Sequence, residues 1–425
     1  MWFIYEILYI FGFIAYLPKA LLRKRLPHPG WLMRLGRYPE SVTKALAGRQ
    51  RPIWVHAVSV GEVLAVLPLL RELSGAYPSV PLVISTVTPG GFDVASKQIS
   101  GFTIPIYFPL DLRACVDRAL TAIRPRALIL VESELWPVML RQAKAGGVPV
   151  AVVNGRVSPR SFTRSQRLRA WLFPLLQRVD LFLMQSEADA ARLKTLGAPE
   201  DRVRAVGSLK WDAGLRARPA PQKVQEAMAR LGLQPGEQVI VAGSTHRGEE
   251  QALLGAYHAL RNGTRLRLIL APRHLERLEE VEGLVRQAGC SVQRLSAASS
   301  VGGRWDVGLV DTLGQLPVYY GLASVAFVGV SLIPHGGQNP IEPASLGKPV
   351  VFGPFMHNFA EIAGQLVDHQ AAWQLPDPQQ LVAALKELLG NPARAEPMGE
   401  RARALTERSA GSAQRTLEAL KPLLA

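Results

Sequence analysis

Read for its apolar and polar positions, the chain begins with an apolar run from Trp2 to Leu17, interrupted only by Glu6, and then turns basic. From residue 52 a different rhythm sets in. Short, continuously apolar segments alternate with longer amphipathic ones. "PIWVHAVSV" reads as a buried strand, and "GEVLAVLPLLRELSGAYP" as a helix ending at Gly75 and Pro78. "VPLVISTVT", "RALILVES", "VPVAVVNG" and "VDLFLMQS" repeat the strand pattern. Helical stretches such as "LDLRACVDRALTAIR" and "EADAARLKTLG" fall between them. Strands that are apolar along their whole length belong to parallel sheets covered on both faces. Around Gly214–Glu237 the strand pattern is lost and prolines accumulate. A second series then follows in "QVIVAGS", "LRLILAPRH", "CSVQRL", "DVGLVDT", "SVAFVGVS" and "KPVVFGP". The pattern predicts two similar α/β halves with a cleft between them, and a closing Arg- and Ala-rich helical stretch.

Length agrees, since 425 residues exceed one ordinary core and suit two domains of about 200 residues each. The formal charge of +15 points to an anionic partner: nucleic acid, acidic lipid or a phosphorylated substrate. Cys115 and Cys290 lie far apart, which excludes a CxxC motif and fits a reducing compartment. The N-terminal apolar run of 16 residues would span about 24 Å as a helix, short of a ~30 Å hydrocarbon core. We expect it to anchor the chain to a membrane, as a short span or an interfacial helix. Its basic flank (Lys19, Arg23, Lys24, Arg25) would keep the rest cytoplasmic. A buried terminal helix is the alternative.

Doubly wound sheets bind ligands at the carboxyl ends of their strands, so residues just past each strand carry the chemistry. In "HAVSVGEV", Glu62 stands at a helix start. It is either a carboxylate able to take a proton from a hydroxyl or a first-turn charge favoured by the helix dipole. "RALILVES" ends on Glu132, with Glu134 close behind. Arg156 and Lys210 are the candidate counter-charges, and structural pairing is the alternative reading. Between Glu134 and Asp180 there is no acidic residue but eight basic ones, interleaved with Phe162, Trp171 and Phe173. RNA or a phosphorylated lipid would fit, and the apolar N-terminus favours the lipid. In the second half, "VAGSTHRGEE" could receive a phosphate on backbone N–H groups. Arg273 and His274 end a strand, and Gly314 marks a turn. In "PHGGQNPIEPASLGKPVVFGP", Asn339 and Glu342 share one face of a helical turn behind Gly336 and Gly337. They suit adjacent ribose hydroxyls, or a helix cap. No Walker A, GxGxxG, HExxH, nucleophile-elbow or DxD motif occurs, so a metal-independent transfer is expected.

Taken in order, "HAVSVGEV", "ESELWP", "NGRVSPRS", "GSLKWD", "GSTHRGEE", "APRH", "DTLGQL" and "HGGQNPIEPASLGKPVVFGP" make the chain resemble the 3-deoxy-D-manno-octulosonate (Kdo) transferases of lipopolysaccharide synthesis, over nearly its whole length. The resemblance implies a GT-B fold. This would comprise an anchor (1–25), an acceptor-binding Rossmann-like domain (26–213), a linker (214–235), a nucleotide-binding Rossmann-like domain (236–410) and a terminal helix (411–425). It implies CMP-Kdo as donor, with no cofactor or metal, and a phosphorylated tetra-acyl lipid A precursor as acceptor. The setting would be the cytoplasmic side of the inner membrane, with no nucleic-acid partner. It further implies Glu62 as general base of an inverting transfer, with Glu132 and Lys210 stabilising the transition state. Pro272, Arg273, Leu313, Gly314, Gln315, Asn339, Pro340, Ile341 and Glu342 would contact CMP. Where the family has Met-Gly-Glu this chain has Leu313-Gly314-Gln315, so backbone contacts are expected there. The basic segment, with Arg156, Ser158, Arg160, Ser161 and Arg164, would meet the acceptor's phosphates. Another GT-B enzyme, such as a nucleotide-sugar epimerase, or a non-enzymatic lipid- or RNA-binding protein are the rival readings.

Overall fold

The computed structural model describes residues 5–12, 14–15, 28–261, 265–297 and 305–425. The chain folds into two compact units. The first contains the chain up to Ala213 together with Ala410–Ala425, and the second is Gly214–Ser409.

The first unit is built on strands β1 (Ile53–His56), β2 (Leu82–Thr86), β3 (Ile104–Tyr107), β4 (Ala127–Val131), β5 (Val150–Gly155), β6 (Leu181–Met184) and β7 (Val203–Ala205). They lie in the order β3-β2-β1-β4-β5-β6-β7, and every pairing is parallel. Every residue of β1, β2, β4, β5 and β6 is buried, which is why those strands read as unbroken apolar runs. Two apolar layers cover the sheet, one around Trp54, Phe108, Leu128 and Met139, the other around Ile53, Leu69, Leu70 and Ile129. The second layer includes Leu417, Leu420 and Leu424 of the terminal helix Ser412–Leu424, which thereby belongs to this unit.

The second unit repeats the plan with β8 (Gln238–Thr245), β9 (Leu266–Pro272), β10 (Val292–Arg294), β11 (Val307–Leu309), β12 (Val325–Val328), β13 (Val350–Phe352) and β14 (Ala372–Gln374). Their order is β10-β11-β9-β8-β12-β13-β14, again all parallel. Residues 214–235, which lack strand pattern, are part of this unit and carry the helix Pro221–Arg230. That helix seats Val224 so close to Gly321 that a Cβ there would lie 2.7 Å from it.

Residues 5–12 and 14–15 are helical. Tyr5 donates its hydroxyl to Asp111 Oδ2 at 2.9 Å, and the Arg113 N–H reaches Glu6 Oε1 at 3.2 Å. Asp111 is fully buried and also accepts the N–H groups of Val138 and Met139, capping the helix Pro137–Ala145. This N-terminal segment is thus fastened on one side by polar contacts, while Leu8, Phe11 and Ile14 are 62%, 65% and 56% exposed. Among the described residues no helix is long and apolar enough to cross a membrane. The expected anchor run, Trp2 to Leu17, is described only in part. The basic flank from Lys19 to Arg25 lies outside the described residues.

Candidate functional site

In the first unit the chemistry collects where β1, β4 and β5 end. Ser59 caps the helix Val60–Ala76, its Oγ accepting the Glu62 N–H at 3.4 Å. The Glu62 carboxylate turns back in return. It accepts the Ser59 hydroxyl at 3.0 Å and the Val58 N–H at 2.8 Å. The first-turn cap and the presented carboxylate are therefore one arrangement. Burial, and then the nearby Glu132 and Glu134 carboxylates, push Glu62 up to about 7, against the pull of its two donors. A carboxylate poised near neutrality is what proton abstraction at physiological pH requires. His56, earlier in the same motif, has no such role. It is fully buried, stacks on Phe108 at 3.7 Å and is held neutral by burial, down to about 3.

Glu132 follows β4 directly and has φ 63°, a left-handed conformation costly for a non-glycine residue. Its Oε1 meets Lys210 Nζ at 3.0 Å, with both side chains largely sequestered. Lys210 comes from the start of the helix Leu209–Arg216. Asn154 at the end of β5 is also left-handed (φ 54°) and wholly buried. Its Oδ1 accepts the Leu209 N–H at 3.0 Å and so fixes the turn that delivers Lys210. Sequence reasoning passed over Asn154, because its partner lies 55 residues away. Glu62, Glu132, Glu134 and Lys210 thus share one neighbourhood, with Lys210 a counter-charge of Glu132.

The basic segment forms the helices Pro159–Arg167 and Arg169–Leu176. Ser158 and Ser161 serve the first as its cap: Ser158 Oγ accepts the Ser161 N–H at 3.2 Å, and the two hydroxyls lie 3.0 Å apart. Arg160, Arg164 and Arg167 are exposed. The Arg156 carbonyl accepts the Ser133 hydroxyl, tying this segment to the loop after β4. Leu168, Trp171 and Phe173 beside the arginines are each about half exposed.

In the second unit, Pro272 ends β9 and the Arg273 N–H is donated to the Thr245 carbonyl. Leu313 is 81% exposed, Gly314 takes φ 79° and Gln315 starts the helix Leu316–Leu322. Asn339 donates to Glu342 Oε1 at 3.3 Å, and its Oδ1 accepts the Ile341 N–H at 3.1 Å. The helix itself is only Ile341–Ser345, with Pro340 at its cap, so Asn339 stands one residue before the cap position. Ile341 is buried. Burial raises Glu342 above the ordinary carboxylate range, opposed by the Asn339 contact and by Arg273. Arg273, Asn339 and Glu342 are therefore brought together.

The His246, Gly248 and Glu249 amides of "GSTHRGEE" are already engaged. Glu249, fully buried, accepts the N–H groups of His246, Val330, Ser331 and Leu332 at 2.7–3.0 Å. The Gly248 N–H goes to Gln251 Oε1. Glu250 pairs with Arg277 at 2.9 Å. Both glutamates hold the framework, and this turn offers those amides to no phosphate.

Two doubly wound parallel sheets, with candidate residues at the strand ends of each, place the protein in the GT-B-like class. UDP-GlcNAc 2-epimerase from Neisseria meningitidis bound to UDP-GlcNAc is similar in fold (TM-score 0.61, 15% identity, 87% of this chain and 100% of that one). So is Anabaena HepE in complex with UDP (TM-score 0.59, 15% identity, 88% and 100%). Residues 29–213 match the family model described as 3-deoxy-D-manno-octulosonic-acid transferase (kdotransferase). The transferase of that name from Bordetella pertussis is 36% identical over 91% of both chains, and that from Haemophilus influenzae 32% identical over 88% of this chain and 87% of its own. The chain belongs to the 3-deoxy-D-manno-octulosonic acid transferase family and is a glycosyltransferase.

Proposed function

We propose that the protein transfers Kdo from CMP-Kdo to a hydroxyl of a phosphorylated, tetra-acylated lipid A precursor, working from the cytoplasmic side of the inner membrane. Glu62 takes the proton from the acceptor hydroxyl as oxygen attacks the anomeric carbon from the face opposite CMP, inverting that centre. The observation that carries this is the state of Glu62, a presented carboxylate whose burial and acidic neighbours bring it to about 7. Lys210, held by Glu132 at 3.0 Å, supplies a positive charge on the same unit. Stabilisation of charge that develops in the transition state is the role such a fixed pair suits. CMP departs with a single phosphate, which cationic side chains and backbone N–H groups can neutralise. Asn339 and Glu342, beside Arg273, take the ribose or its phosphate, with the 313–315 turn adding backbone contacts.

The acceptor's phosphates fall to the exposed Arg160, Arg164 and Arg167. The apolar residues beside them and the exposed Leu8, Phe11 and Ile14 suit the interface of the membrane that carries that lipid. The test is to incubate the purified protein with CMP-Kdo and the tetra-acylated precursor and to weigh the lipid product. A mass increase of one or more Kdo units is expected. An unchanged lipid, with CMP-Kdo consumed no faster than in buffer, would reject the reading.

A further inference from the structure

Three of the chain's eight histidines meet at the strand ends of the second unit, and the reading above gives them no task. His246 follows β8, His274 lies two residues beyond β9, and His335 sits in the loop after β12. These are neighbouring strands, in the order β9-β8-β12. The His246 ring lies 5.1 Å from that of His335, nearly perpendicular at 89°, and 6.1 Å from that of His274 at 78°. His246 Nδ1 is buried with no hydrogen-bond partner among the described residues, and neither has Oγ1 of the wholly buried Thr245 beside it. Buried polar atoms are normally paired, so such a pair of orphans marks a place where something else binds.

The surroundings say what. Glu249 is spent on four backbone N–H groups, Glu250 on Arg277, and Glu280 on Arg247 and Arg277. The exposed Glu276 approaches the cluster, 3.5 Å from His274. Arg273, next to His274, acts on Glu342 of the nucleotide segment. His335 is tied in place from behind, its carbonyl accepting from Asn358 and its N–H donated to Ile333. The imidazoles thus face one another with little acid to balance them. Burial, then His335 and Arg277, hold His246 below the ordinary imidazole range, while Glu250 opposes and His274 adds to the effect.

We propose that His246, His274 and His335, with Arg273, form an oxyanion subsite for the donor. The proposal rests on the donor reading above and names the part of the donor involved. An ulosonic acid joined to a nucleotide monophosphate carries two acidic groups close together: the phosphodiester and the carboxylate on the anomeric carbon. Either presents the oxygens that imidazole N–H groups recognise. Seating an anion there favours the protonated form of His246, which burial and His335 otherwise hold back, so donor binding takes up a proton.

The experiment uses the full chain with His246→Gln, His335→Gln and the double change. It compares calorimetric affinities for cytidine, CMP and CMP-N-acetylneuraminate, and KM against kcat for transfer from CMP-Kdo. Thermal unfolding of each variant identifies any that fail to fold. The single Gln variants, which keep size and a donor, serve if the double one does so. The double variant is expected to raise KM at least about tenfold, as for loss of one or two charge-assisted hydrogen bonds, and to leave cytidine binding unchanged. A parallel loss for CMP assigns the phosphate. CMP affinity kept and CMP-N-acetylneuraminate affinity lost assigns the carboxylate. The wild-type KM should rise with pH through the imidazole range, and the double variant should flatten that rise. KM within twofold of wild type together with unchanged nucleotide affinities would overturn the subsite, as would cytidine affinity lost to the same extent as CMP. A wild type that binds CMP over cytidine through these histidines yet transfers no Kdo would overturn the donor reading alone.

Discussion

Glu62→Gln separates chemistry from folding more sharply than any other single change. The amide preserves shape and can still accept one hydrogen bond where the carboxylate accepts from Val58 and Ser59, but it cannot take a proton. Removing a general base costs about 10²–10⁴ in rate. The pH dependence carries more information. Because Glu62 lies at about 7, the ionised, competent form grows as pH rises. The wild-type kcat should therefore climb about tenfold per pH unit below 7 and level off above it. Glu132 is the first of the acidic neighbours that raise Glu62. Replacing it with Gln removes that contribution, so the acid limb should move to lower pH in Glu132→Gln.

Stability runs the other way. The folded state raises this carboxyl above its ordinary value of 4.5. It therefore binds the proton more tightly than the unfolded chain does, and stability falls as pH rises from 4.5 through about 7. The full shift corresponds to roughly 3 kcal/mol at one unit per 1.36 kcal/mol, and partial solvent access brings it to about 1–2. Above pH 7 the uncharged Gln variant should thus be no less stable than wild type, and up to about 2 kcal/mol more so, while inactive. Denaturant unfolding and a pH–rate series measure both. Turnover above half of wild type, or a wild-type profile without an acid limb near neutrality, would remove Glu62 from the mechanism.

Asn339→Ala and Glu342→Ala should each weaken CMP binding by about 1–3 kcal/mol in calorimetry, and unchanged affinity in both would leave the pair a purely local turn device. Changing Arg160, Arg164 and Arg167 together to Ser should cost about a hundredfold in affinity for anionic vesicles carrying the lipid A precursor, at roughly 1 kcal/mol per charge, and spare CMP binding; flotation at low and high salt reads it. Glu249→Gln keeps one acceptor oxygen for four N–H groups and should destabilise the second unit by about 3–5 kcal/mol in denaturant unfolding. At Val330, whose φ is 58°, Gly should be at least as stable as Ala, reversing an ordinary preference of about 0.5–1 kcal/mol for Ala; an Ala variant clearly more stable than Gly would deny the strain.

The doubly wound plan was legible because central strands buried on both faces leave uninterrupted apolar runs, and all eleven strands so read are present. The three missed, β3, β7 and β14, are edge strands of three or four residues. Half their surroundings are open, and β3 carries Pro105, so no apolar run marks them. The closing Arg- and Ala-rich helical stretch comprises two helices, parted at Gly411 with φ 83°. At the site, carboxylates at strand ends could be found because an unpaired one there is costly. Asp111, Asn154 and Glu249 could not. Beside the Tyr5 and Ser208 hydroxyls and the local His246, their partners are backbone N–H groups between 27 and 83 residues away, and a backbone donor leaves no trace in side-chain pattern.

Both units handle their strand ends in the same way. Among the described residues, four of the six non-glycine positions with left-handed backbone are Glu132, Asn154, Ser244 and Val330, and each lies at or just past the end of a central strand. Such conformations cost about 1–3 kcal/mol apiece and persist only where neighbours over-determine them. In the first unit the Glu132 N–H is held by the Val153 carbonyl, while Asn154 takes the Leu209 N–H and gives its own carbonyl to Gln185. In the second, the Val330 N–H is gripped by Glu249 at 2.7 Å and its carbonyl accepts from Gly337. A buried polar side chain offsets the strain in each: Asn154 in one, Glu249 in the other. What that strain achieves is direction, since the chain leaves the sheet at once and sets Lys210 against Glu132 in one unit and His335 against His246 in the other. Buried clamps rather than the reactive groups themselves therefore set the precision of both clusters. Substitutions at Asn154 and Glu249 should damage activity through geometry, with the pH dependence of Glu62 left in place.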